Sequence, residues 1–280
     1  MPDVTSPFPM RAASFGRGSV IRLVVTNQRG GVGKTTTAIN YACYLAQRNY
    51  RTLLIDTDPQ GSVGIMLGLM PAAFLSHFLL QELTLPQCVL GAQDNLDVLC
   101  SNKQTVEAES RLAASASPQT ALASAIGPFE DRYSAVVLDV SPSISLLQTC
   151  AMVYARRVLL PVNMDLLSLN AANAVCDTVR VLNDWLSESI LVVGLMPCQV
   201  HKGLSITRLG EQGLEAISAK FGVPVLPAVR TDQSVNRAFT VHQPLLVIDP
   251  TSRAAQDYVA VFDRVTAIIE DAEAQHAKGA

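Results

Sequence analysis

The stretch from Val20 to Thr37 constrains this chain more than any other, because it joins a buried strand, a glycine-rich turn and a helix directly. The apolar run Ile21, Leu23, Val24, Val25 reads as a strand, broken at Gly30, Gly31 and Gly33; beyond Lys34 the spacing predicts a helix over 38–47. In that setting a glycine-rich loop turns successive N–H groups around a phosphate, and the helix adds the positive end of its dipole. Lys34 is then placed to reach the β- and γ-phosphates of a nucleotide, and the Thr35 hydroxyl to hold Mg²⁺. The plain alternative, a glycine-rich turn that happens to precede Lys-Thr, does not account for the flanking elements.

A chain of 280 residues can hold one large α/β domain or two small ones, and 49% hydrophobic with 16% charged residues predicts an ordered core. No apolar run approaches the ~18–20 residues of a membrane span, which predicts a soluble, cytoplasmic protein. Residues 1–19 lack the apolar core of a secretion signal and read as a disordered tail; a start at Met10 is conceivable. Cysteines occur at 43, 88, 100, 150, 176 and 198 without a C-x-x-C pair or histidine spacing, and read as small buried hydrophobes. Net charge is −3, so nucleic acid would have to be held by a local basic patch.

Strand and helix patterns alternate along the chain. Strands are expected at 51–56, 96–101, 133–139, 157–162, 190–195 and 223–226. Helices are expected near 74–82, in two pieces over 103–127 broken near Pro118, and over 167–187, 203–221, 232–240 and 251–273. This predicts a three-layer α/β fold, a mostly parallel sheet with helices on both faces, in one domain over 20–275 with a short tail at 276–280. Ligands of such sheets bind at the carboxyl ends of the strands. The glycine-rich loop, Asp56, Asp58 and Asp139 all fall there.

Asp139 closes a hydrophobic strand, which suits it to orient water on Mg²⁺ beside Thr35; capping the next helix is its bland alternative. Asp56 and Asp58 end the second strand two residues apart. Phosphoryl transfer to water needs a positioned nucleophile more than a strong base. Asp58 is the expected positioning residue, with Asp56 nearer the Mg²⁺ shell.

These residues carry a family likeness. Asn27-Gln-Arg-Gly-Gly-Val-Gly-Lys-Thr-Thr-Thr37 resembles the deviant Walker A loop of the ParA/Soj/MinD ATPases. Leu53 to Gly61 resembles that family's Walker A′ motif, and Val136 to Ser143 its Walker B stretch. Residues Arg230–Ala238 and Pro244–Arg253 are similar to its adenine-side loop and closing segment, so the likeness spans about 20–270. The resemblance implies a P-loop ATPase that uses ATP and Mg²⁺. Its nucleotide would contact Arg29, Gly30, Gly31, Val32, Gly33, Lys34, Thr35 and Thr36, with Pro227 on the adenine side. It implies a homodimer that sandwiches ATP, binds DNA without sequence preference on the nucleoid, and is released when a ParB-like or cargo-adaptor partner stimulates a weak intrinsic hydrolysis. Chromosome or plasmid partition is the implied role. The family's signature lysine, which crosses to the partner's phosphates, is Arg29 here; its planar, permanently charged fork suits phosphate oxygens. Two further departures are Gln28, where ordinary Walker A loops have glycine, and Ser141, where the family usually has proline.

Lys202, Arg208, Lys220, Arg230, Arg237 and Arg253 are the candidate DNA contacts, since non-specific binding needs several cations on one surface. With only about 20 residues before the first strand, no sequence-specific reader is expected. Membrane docking would need a basic amphipathic terminal helix, whereas the last helix carries Asp257, Asp263, Glu270, Asp271 and Glu273. A shared iron–sulfur cluster is disfavoured, because neither Cys150 nor Cys176 has a ligand context. Two other readings of the same fold are a positioning ATPase for a protein cargo, such as a carboxysome or chemotaxis cluster, and a biosynthetic P-loop enzyme of the dethiobiotin-synthetase or amidotransferase sort.

Overall fold

A computed structural model describes residues 20–186, 189–200 and 205–279. The strands are β1 (Ile21–Val25), β2 (Thr52–Asp56), β3 (Val89–Gln93), β4 (Leu96–Leu99), β5 (Ala135–Asp139), β6 (Arg157–Asn163) and β7 (Leu191–Cys198). They form one sheet in the order β3-β4-β2-β5-β1-β6-β7, parallel except for the antiparallel β3–β4 pair at one edge. Helix α1 (Lys34–Ala46) follows β1. After β2 come α2 (Ser62–Met66), α3 (Leu75–Leu79) and α4 (Leu85–Cys88), and after β4 come α5 (Thr105–Leu112) and α6 (Ala121–Ile126). Helix α7 (Leu146–Ala155) precedes β6, α8 (Leu166–Leu186) precedes β7, and α9 (Ser205–Phe221), α10 (Gln233–Thr240), α11 (Leu245–Ile248) and α12 (Arg253–Gly279) complete the chain.

Both faces of the sheet are covered, which is why its strands read as near-continuous apolar runs. Ile21, Leu23 and Val25 point into one core with α1, α10, α11 and α12; Val24 points into the other with α3 and α5–α9. Within the first core Phe262 is fully buried, with ring centroids 5.1 Å from Tyr41, 5.4 Å from Tyr44 and 5.3 Å from Tyr258. All six cysteines are free and buried, and burial pushes Cys43, Cys100 and Cys198 up to about 12.

The structure departs from the sequence reading in several places, of which four bear on the sheet and its cover. The strand expected at 223–226 is only a bridge, Leu195 with Val225, because Pro224 and Pro227 have no N–H to continue the ladder. Strand β3 went unread: it is short, half-buried and interrupted by Gly91, so it carries neither alternation nor a continuous apolar run. Helix α7 also went unread, although Ser145 caps it by accepting from the Gln148 N–H at 3.2 Å. Helix α12 runs on to Gly279, past its expected end.

Phe262→Ala removes the ring that seats α12 against α1. Chemical denaturation is expected to report about 3–5 kcal/mol of lost stability, and a loss under about 1 kcal/mol would contradict this packing.

Candidate nucleotide-binding site

The loop between β1 and α1 lies over the carboxyl edge of the sheet. Gly31 and Gly33 adopt φ of 77° and 91°, a left-handed backbone that glycine reaches without a Cβ penalty. A Cβ built at Gly30 or Gly31 would meet nothing within 4 Å, so the space beside both residues is open. Val32 is fully buried beneath the loop. Gly33 is the N-cap of α1, so the loop's N–H groups and the positive end of a 13-residue helix converge.

Side chains hold this loop from several directions. Asn27, fully buried, accepts from the Arg29 N–H at 3.0 Å and donates to the Pro161 carbonyl of β6 at 2.8 Å. Lys34 donates its ammonium to the Arg29 carbonyl at 2.9 Å. Gln199, just past β7, donates to the Gly31 carbonyl at 2.8 Å. Arg29 itself is exposed, with its backbone pinned on both sides. Burial pushes the Asp165 carboxyl up, but hydrogen bonds from Ser168 and the nearby Arg29 charge outweigh it and hold it below the usual range.

Parallel pairing brings the acidic residues alongside. Asp139 is in register with Val25 on one side and Asp56 on the other. Both aspartates are fully buried. Asp56 accepts from the Asp58 N–H at 2.9 Å and the Val63 N–H at 3.1 Å, so it shapes the turn that carries Asp58 and the start of α2. Its carboxyl lies well above the ordinary range, first through burial and then through Asp139. Asp58 is half-buried and accepts from Gln60 N–H. Thr57 donates both its N–H and its hydroxyl to the Asp139 carbonyl, at 2.9 and 3.0 Å.

Asp139 stands apart. Among the described residues neither of its carboxylate oxygens has a hydrogen-bond partner. Its carboxyl is raised to about 7: burial pushes it up most and Asp58 adds to this, against the Thr35 hydroxyl and the Lys34 ammonium, which pull it down. Burial in turn lowers Lys34, against the charges of Asp139 and Asp58. A buried carboxylate without donors is costly, and a divalent cation satisfies it. Thr35 and Asp139 supply two hard oxygen donors beside a phosphate cradle, a donor set that fits Mg²⁺, which keeps waters and takes substrate phosphates as its other ligands.

The other expected site residues are dispersed. Thr36 sits in the first turn of α1, its carbonyl accepting from Asn40 Nδ2 at 2.8 Å. Pro227 is exposed in the segment that bonds back to β7, where Leu226 N–H meets the Leu195 carbonyl and Val229 N–H the Pro197 carbonyl. Of the candidate DNA contacts, Lys202 lies outside the described residues and Arg208 is exposed on α9. The others meet carboxylates: Lys220 with Asp177, Arg230 bidentately with Asp257, Arg237 with Asp249 and Arg253 with Asp232. Sequence reasoning assigned no role to Asn27, Thr57 or Gln199. Asn27 lies inside the quoted motif, whereas nothing local marks Gln199, 168 residues from its partner.

The state of Asp139 has a measurable consequence. A carboxyl raised in the folded chain contributes stability below its ordinary pKa of about 4 and loses it as pH rises through about 7. The melting temperature of metal-free protein is therefore expected to fall between about pH 5 and pH 8. Asp139→Asn should flatten that fall while weakening Mg²⁺-dependent nucleotide binding. Equal slopes for the two proteins would remove Asp139 as the source.

A profile described as an AAA domain matches residues 20–192. The chromosome-partitioning ATPase Soj of Thermus thermophilus is 31% identical over 91% of this chain and 99% of its own. The ATP complex of a Cyanothece McdA superposes with a TM-score of 0.80 at 21% identity, covering 90% of this chain and 98% of that one. Cobyrinic acid a,c-diamide synthase from Mycobacterium smegmatis, with ADP and magnesium, superposes at 0.74 and 22% identity, covering 87% and 93%. With a matched profile over more than half its length and the three motifs gathered at one sheet edge, the chain belongs to the ParA/Soj/MinD family of P-loop ATPases, which use ATP and Mg²⁺.

Proposed function

We propose that this ParA-type positioning ATPase acts as an ATP-sandwich homodimer that binds DNA without sequence preference and segregates a chromosome or plasmid. Its weak hydrolysis is stimulated by a ParB-like partner on the cargo, and it works in the cytoplasm on the nucleoid. The observation that carries this reading is Arg29: exposed at the mouth of the cradle, with its backbone held by Asn27 and Lys34, it is free to reach a second subunit's phosphates. Ile144, 80% exposed, and Leu166, 72% exposed, follow β5 and β6 at the same edge, an apolar surface suited to a second copy.

Thr35 and Asp139 would hold Mg²⁺, with Asp56 the third expected acidic or hydroxyl residue at the ion, which would neutralise charge on the phosphates. Lys34 exchanges its bond to the Arg29 carbonyl for the β- and γ-phosphates. Gly30 to Thr36 wrap the phosphates, and Pro227 flanks the adenine. Asp58, on the turn that Asp56 shapes, orients the attacking water. Arg29 supplies positive charge in trans. The DNA-facing cations are drawn from Lys202, Arg208, Lys220, Arg230, Arg237 and Arg253. The paired ones contribute only by exchanging a carboxylate for a phosphate, and this favours a protein cargo as the second reading.

DNA binding with ATP, with ADP and without nucleotide, each at two salt concentrations, tests the reading. ATP-specific binding that weakens steeply with salt is expected; binding indifferent to nucleotide would defeat it. Lys34→Ala is expected to weaken MgATP binding about 10- to 100-fold, the scale of a charge-assisted hydrogen bond. Asp58→Ala should keep ATP and DNA binding while turnover falls on the order of 100-fold or more. Undiminished phosphate release by that variant would rule Asp58 out.

A further inference from the structure

Gln199 combines two unusual features at one position. Its backbone has φ of 53°, the left-handed region that a residue with a Cβ enters at a cost. Its side-chain amide reaches from the end of β7 to the Gly31 carbonyl at 2.8 Å. Strand β7 is separated from β1 by β6, so the bond spans two strand spacings. The next residue belongs to another connection. Val200 N–H donates to the Val229 carbonyl at 3.2 Å and Thr231 N–H to the Val200 carbonyl at 3.4 Å, in a parallel bridge of Val200 with Arg230. Arg230 is anchored to Asp257 of α12 through its N–H, Nε and Nη2. A residue held at a strained backbone while it makes one long-range bond points to a function for that bond.

We infer that Gln199 is a positioning residue that pre-organises the phosphate loop, fixing the Gly31 peptide so that the loop's N–H groups face inward before nucleotide arrives, and tying the loop to the 229–231 segment. Gly31 has no side chain of its own to hold its left-handed backbone, and Asn27 and Lys34 both act on Arg29. Among the described residues, Gln199 is the side chain that holds the Gly31–Val32 peptide. A loop held in its bound shape loses less entropy on binding, and the gain is the same in the ground and transition states. The inference rests on the loop holding a nucleoside triphosphate, as proposed above, and on neither DNA nor a partner.

The test uses full-length Gln199→Ala and Gln199→Gly. Both lose the bond, but only glycine relieves the backbone, so their shared effect reads the bond and their difference reads the strain. In nucleotide-free protein, amide hydrogen exchange over residues 29–35 is expected to speed several-fold in both variants. In steady-state ATP hydrolysis, KM should rise roughly three- to tenfold with kcat unchanged, the scale of one neutral hydrogen bond. Binding of magnesium tripolyphosphate, which carries no base, should weaken by the same factor as binding of MgATP. Unchanged exchange over the loop overturns the inference. So does a fall in kcat at constant KM, and so does a loss confined to ATP, which would instead put Gln199 at the base.

Discussion

A carboxylate without donors at the centre of the sheet's carboxyl edge organises this molecule. Asp139 lies in register between Val25 and Asp56, so β5 delivers it directly beside the phosphate loop and the second acidic strand end. Its backbone carbonyl is used twice by Thr57, yet its side chain is buried and unsatisfied among the described residues. Such a group is costly in an apolar interior. Its charged compensation is a partly desolvated ammonium, Lys34, that is itself bonded to a loop carbonyl. The folded chain thus stores an electrostatic deficit where a cation and polyphosphate would bind.

Around that deficit the loop is largely built in advance. Asn27 just past β1, Lys34 on α1 and Gln199 just past β7 bond its backbone. Asp56 performs the same service for the Asp58 turn, accepting one N–H from the turn and one from α2. Shape is set by these contacts to the backbone, while Arg29, the residue that departs from the family's signature, remains exposed. The fold alone does not decide the chemistry, since a synthase shares it.

Most of the sheet could be read from the sequence because its strands are buried on both faces and therefore announce themselves as apolar, β-branched runs. Ala135 to Asp139 and Thr52 to Asp56 are of this kind. Strand β3 is half-buried at an antiparallel edge and announces nothing. The bridge at Val225 illustrates the converse error, an apolar run whose flanking prolines deny it a ladder. The basic residues were legible as a list but not as a surface. Arg230 looks like an available cation in the sequence, and Asp257, 27 residues later, engages it with two of its side-chain nitrogens.

By itself the sequence determined the order of strand, glycine loop and helix, and which aspartates end strands, because these follow from hydrophobic period and from glycine's access to positive φ. Only the tertiary structure decided that Asp139 lacks donors, that most described candidate cations meet carboxylates, and that Gln199 holds Gly31. Those outcomes depend on strand order and on contacts between residues far apart in the chain. A local pattern carries no information about which distant groups the packed sheet will bring within hydrogen-bonding reach.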